Sequence, residues 1–175
     1  MTAKEFFEIF IKSVLGTGNK YNCNRSEREF TSKVNEVLES IRNIPTKDYP
    51  EYYKIDHTYF DDFEDEKSKG LGLNPNKWIL KALVEHENKT NDWNYEVYKL
   101  APFKCPLRVV IGYVEKDQRE KDLEKLSVVA DNLHFMEDND CFCPDGEFLI
   151  ILGNDGWEEA DYRAYIYENR GFREL

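Results

Sequence analysis

The octapeptide Leu107-Arg-Val-Val-Ile-Gly-Tyr-Val114 is nearly continuous apolar. A strand with one wet face alternates apolar and polar side chains, so such a run implies cover on both faces. Phe148-Leu-Ile-Ile-Leu152 repeats the signature. Two buried strands of this kind need a central sheet with helices laid on it, which is a mixed α/β architecture.

The covering helices are legible. Thr2 and Glu5 have capping-box spacing ahead of an apolar stripe of Phe6, Ile9, Phe10 and Val14, and Gly16-Thr-Gly18-Asn19 ends that helix. Ser26 and Glu29 repeat the signal before Phe30, Val34, Val37, Leu38 and Ile41, and Pro45 closes it. Asn91 is placed to cap a short helix with Trp93, Val97 and Leu100 on one face, stopped by Pro102. Asp117 and Glu120 open another, carrying Leu123, Leu126, Ala130 and Leu133. Tyr52 to Phe60 and Trp78 to Glu87 read as strands. The acidic run Asp61 to Glu66 leads into a polar loop, and Tyr162 to Tyr167 reads as a last strand after the turn signal Asn154-Asp-Gly156. The expected order is α α β β α β α β β.

At 175 residues without low-complexity stretches, the chain reads as one domain, 1–175. Its formal net charge is −11, and the excess is local: residues 137–161 hold nine acids and no Lys or Arg, while the remainder has 26 acids against 24 bases. The acidic part, 137–175, is expected to pack on the same core. A fold-wide basic field, the electrostatic footprint of many nucleic-acid binders, is absent. Four cysteines are too few for a disulfide scaffold, and no apolar run reaches the roughly 20 residues that span a bilayer. The expectation is a soluble, cytoplasmic protein.

The tract Trp78-Ile-Leu-Lys-Ala-Leu-Val-Glu85-His86-Glu87 carries the chemistry. An apolar run ends in two carboxylates separated by one residue. In a strand Glu85 and Glu87 share a face and His86 points the other way. Like charges held close share a proton or a cation, and Mg²⁺ or Mn²⁺ favours oxygen-rich sites of this type. Asp56, on the preceding strand, shares a face with Thr58. Glu96 and Lys99 lie i, i+3 on the following helix.

Asp56 on one strand, Glu85-x-Glu87 ending the next, and a helix leading to an apolar strand together resemble the PD-(D/E)XK nuclease superfamily. The resemblance covers about residues 26–114. It implies a restriction-endonuclease-like central mixed sheet flanked by helices. It further implies Mg²⁺- or Mn²⁺-dependent phosphodiester hydrolysis of nucleic acid, in an active or a degenerate member. Asp56, Glu85 and Glu87 then hold the metal, Glu87 also acts on the water, and Lys99 supplies positive charge, since some relatives carry the lysine on the following helix. The register Glu87-Asn88-Lys89 also matches the motif, with Lys89 as the lysine. A third strand is expected beside the one bearing Asp56. A homodimer is admitted, as in relatives that cut duplex DNA.

Blander explanations accompany each residue. Glu85 and Glu87 also suit the wet end of a strand, and Glu96–Lys99 suits a surface ion pair. Asp61 or Asp62 could supply the metal-site acid. His57 and His86 suit packing. Cys141-x-Cys143 with His134 falls short of the four ligands of a closed zinc site. The competing function is a non-enzymatic acidic interaction protein, such as an immunity or inhibitor protein, docking a basic partner.

Overall fold

Among the described residues, seven strands form one mixed sheet whose spatial order follows the chain from edge to edge. The computed structural model describes residues 1–16, 34, 36–38, 41, 47–52, 54–73, 76–115, 118–154 and 161–175. Strands β1 (Lys47–Tyr52), β2 (Ile55–Glu64) and β3 (Asn76–His86) each run antiparallel to the next. Strands β4 (Leu107–Val114) and β5 (Glu147–Asn154) continue parallel to β3. Strands β6 (Tyr162–Glu168) and β7 (Gly171–Glu174) return antiparallel. Parallel neighbours require crossovers, and helices supply them. Helix α1 (Ala3–Gly16) precedes the sheet, α2 (Glu66–Gly70) joins β2 to β3, α3 (Asn94–Leu100) joins β3 to β4, and α4 (Arg119–Asp138) joins β4 to β5.

The alternation of side chains along β3 and β4 divides the core in two. Val84, Val109 and Ile111 pack under Phe6 and Phe10 of α1, together with Val34, Val37 and Leu38. Leu83, Val110 and Ile150 pack under Val97 and Leu100 of α3 and under Leu126, Val129 and Leu133 of α4. The whole of β4 is buried, as its composition requires. The capping box forms: Thr2 N donates to Glu5 Oε2 at 2.7 Å and Glu5 N donates to Thr2 Oγ1 at 3.2 Å. Strands β5 to β7 extend the same sheet, so the acidic C-terminal part belongs to this core. Among the described residues, no helix is long and apolar enough to cross a membrane.

Several expectations need correction. Tyr52 to Phe60 is not one strand, because Tyr52 pairs with Ile55 and Lys54 between them takes φ 61. The chain reverses there, which makes β1 the third strand expected beside β2. Pro50 lies in β1, an edge strand, where a missing N–H is tolerated. Asp61 to Glu64 continue β2 instead of opening a loop, and α2 follows. Strand β3 ends at His86, so Glu87 lies just beyond it. Asn91 does not cap α3: Trp93 stands at that position without a side-chain bond, and Asn91 takes φ 71. Leu123 is exposed on α4. Strand β7 was not anticipated. The start of the second expected helix, at Ser26 and Glu29, lies outside the described residues, as do Asp117, the turn residues Asp155 and Gly156, and the side chain of Asp62.

Arg108 is an unexpected charge in the most apolar strand. It is fully buried, and its guanidinium reaches the carbonyls of Ala101 (3.3 Å), Phe103 (3.4 Å), Cys143 (2.7 Å) and Asp145 (3.1 Å). It thereby ties the loop after α3 to the loop before β5.

Candidate functional site

The site grows from the β2–β3 ladder. His57 pairs with Val84, so one step further Asp56 stands across from Glu85. Cross-strand partners share a face. That face is the one covered by α3 and α4, since Leu83 packs there. His86 takes the opposite face, as the strand period requires.

Glu85 is 2% exposed. Lys99 Nζ lies 2.7 Å from Glu85 Oε1 and 3.2 Å from Glu96 Oε2. Burial pushes the Glu85 carboxyl up to about 8; Lys99 opposes that shift, while Asp56 and Glu96 add to it. Burial also works against the Lys99 charge, but Glu85 and Glu96 outweigh it and its pKa rises. Asp56 is partly buried, and its Oδ2 accepts the His86 backbone N–H at 2.8 Å. That bond pins the end of β3 to β2.

The structure therefore gathers Asp56, Glu85, Glu96 and Lys99. It does not gather the others. Glu87 Oε1 accepts the Lys89 N–H at 2.7 Å, turning its carboxylate onto its own loop. The Lys89 ammonium pairs with Asp92. Asp61 pairs with Lys81 at 2.7 Å. His86 Nε2 meets the Tyr113 hydroxyl at 3.0 Å, and that hydroxyl is 3.5 Å from Tyr162 Oη. Burial and the neighbouring His57 lower the His86 pKa to about 3, so the ring is neutral near pH 7. His134 faces Arg170, with Nη1 and Nε2 2.9 Å apart.

Among the described residues, no group of three or more His, Cys, Asp or Glu side chains is arranged to hold a metal. Mg²⁺ is commonly held by one or two carboxylates, with water filling the remaining positions. Asp56 and Glu85 are two carboxyl groups on one face, with an Asp56 oxygen engaged by the His86 amide and a Glu85 oxygen by Lys99. The hydrogen bond from the His86 amide to Asp56 had no signal in the sequence, because a side chain reaching a neighbouring strand's backbone leaves no periodic trace. No protein-family model matches the chain, and no curated protein matches it.

Proposed function

We propose that Asp56, Glu85 and Lys99 form a nuclease-like centre of the PD-(D/E)XK type, with its lysine on the helix after the acidic strand. One observation carries the reading: a lysine from α3 sits 2.7 Å from a buried strand-end acid whose cross-strand neighbour is an aspartate. The path of the chain supports it. Three antiparallel strands lead through a helix into a parallel fourth, with the acids on the second and third strands and the lysine on the helix.

Asp56 and Glu85 would hold a divalent cation. Such an ion, when bound, makes water more acidic and withdraws charge from a phosphoryl oxygen. Lys99, held between Glu85 and Glu96, would stabilise negative charge developing on a scissile phosphate brought to this centre. Glu96 keeps Lys99 protonated and aimed. Glu87, one residue past the strand, takes an outer role at most.

Titration calorimetry with Mn²⁺ tests the centre. Wild type binds Mn²⁺ and Glu85→Ala does not. A labelled oligonucleotide is cleaved by wild type, and Lys99→Met loses about 10²-fold or more of that rate while retaining Mn²⁺. Equal Mn²⁺ binding by wild type and Glu85→Ala rejects the reading.

A further inference from the structure

Helix α3 presents two faces. Glu96 and Lys99 turn to Glu85. Asn94 and Tyr98, one turn apart, turn to α4. With Asn91, Lys121, Lys125 and Asn132 they line a groove of about 490 Å³. That volume lies within the roughly 300–1,000 Å³ of small-molecule sites.

The polar wall of the groove is already ordered. Lys125 Nζ donates to Asn91 Oδ1 at 2.6 Å, and Asn132 Nδ2 donates to the Tyr98 hydroxyl at 2.8 Å. Asn91 is fixed in turn by its backbone N–H on Tyr113 O at 2.9 Å. Because Tyr98 Oη accepts from Asn132, its own proton is available to a ligand. Val128, 55% exposed, adds an apolar patch to the wall.

We propose that this groove binds a segment of single-stranded nucleic acid, next to the Asp56–Glu85–Lys99 centre. The choice of nucleic acid as ligand class rests on the nuclease-like reading. Three features of the groove select the single-stranded form. Two ammonium groups, Lys121 and Lys125, line the groove beside the Glu124 carboxylate, with Glu115 bonded to the Asn91 amide at one end, so the lysines offer the phosphate contacts. Asparagine amides offer donors and acceptors together, the pattern an unpaired base edge presents. The Tyr98 ring and Val128 supply a surface on which a base face can lie. Tyr98 and Lys99 are neighbours on α3 that turn to different faces, so the groove and the centre share one helix.

Fluorescence anisotropy of a labelled 12-nucleotide mixed-sequence strand, in EDTA and with the full chain, tests the groove without any metal or turnover. Wild type binds saturably. Lys121→Glu and Asn94→Asp, both on exposed or half-exposed positions, each weaken binding at least fivefold with unchanged circular dichroism. Lys4→Glu on α1, with the same net charge as Lys121→Glu, stays within twofold of wild type. Lys121→Ala reduces the dependence of log K on log salt by about 0.7. The proposal is overturned by absence of saturable binding, by equal loss in Lys4→Glu, by tighter binding of the matching duplex, or by equal competition from polyglutamate. Failure here leaves Mn²⁺ calorimetry to judge the centre, and failure there leaves the EDTA binding result to judge the groove.

Discussion

The Lys99 ammonium stands 2.7 Å from Glu85 Oε1, and the two ends of this contact differ in their access to water. The Glu85 side chain is 2% exposed and the Lys99 side chain 33%. A strand end supplies the acid and a two-turn helix supplies the base, so the pair also anchors α3 to β3. This asymmetry governs what each truncation does.

Lys99→Met leaves the buried Glu85 carboxyl group without its partner. Glu85→Gln leaves an ammonium that still reaches Glu96 and water. Loss of one partner from a fully buried pair costs about 3–5 kcal/mol. Proton uptake by Glu85, whose pKa is already raised, limits the penalty here. We expect Lys99→Met to lower stability by about 1–3 kcal/mol. Glu85→Gln should lower it less, and the double variant should lose less than the sum. Urea denaturation at pH 7 measures all three. A larger loss for Glu85→Gln than for Lys99→Met contradicts the geometry.

Two buried groups set opposite pH slopes. Glu85 titrates near 8 when folded, against a usual 4.5, so the native state holds the extra proton and stability falls as pH rises from 4.5 to 8. His86 titrates near 3 when folded, against 6.5, so the unfolded state holds the extra proton and stability rises with pH from 3 to 6.5. Between 4.5 and 6.5 the two slopes oppose each other, each at most about 1.4 kcal/mol per pH unit. Melting temperature should therefore be nearly flat across that window, with a decline on either side. Glu85→Gln should abolish the alkaline decline and turn the flat stretch into a rise. A wild-type melting temperature that climbs steadily from pH 6.5 to 8 is the contrary result.

What the sequence disclosed of this site follows from what periodicity can encode. Glu85 was readable because a buried run ends on it. Lys99 and Glu96 were readable because i, i+3 spacing puts them on one face. The edge strand β1 was missed because its reversal depends on Lys54 at positive φ, without the Asn-Gly or Asp-Gly pair that usually marks a hairpin. Glu87 looked equivalent to Glu85 in a continued strand. The strand stops at His86, and the Lys89 backbone N–H then captures the Glu87 carboxylate. Arg108 stayed hidden because its partners are carbonyls from two loops, which no local pattern records.

The same difference between Glu85 and Glu87 separates the two motif registers. If the centre uses Asp56 and Glu85, then Asp56→Asn weakens Mn²⁺ binding at least tenfold, a loss of about 1.4 kcal/mol or more. Glu87→Gln changes it by less than twofold. Calorimetry on the two variants decides between registers. A loss in Glu87→Gln equal to that in Asp56→Asn moves the centre to Glu87 and Lys89.

The position of Lys99 depends on a glycine outside the site. A Cβ at Gly112 of β4 would lie 2.3 Å from Trp93 Cβ and 2.9 Å from Trp93 Cγ. Trp93 is fully buried at the entry to α3, so it has little room to yield except by carrying the helix outward. Gly112→Ala should cost about 1–3 kcal/mol by overpacking, and it should also draw Lys99 away from Glu85. Gly153→Ala provides the comparison. Its Cβ would lie 2.7 Å from Tyr162 Cε1 and 3.0 Å from Tyr113 Cε1, on the α1 side of the sheet. Both variants lose stability, but only Gly112→Ala should lower cleavage by the folded fraction and extend the alkaline loss of stability to higher pH, since Glu85 without Lys99 holds its proton to higher pH. Cleavage rates normalised to folded protein, measured beside melting curves from pH 6.5 to 9, make the comparison. Equal normalised rates in the two variants would show that α3 does not depend on Gly112 to place its lysine.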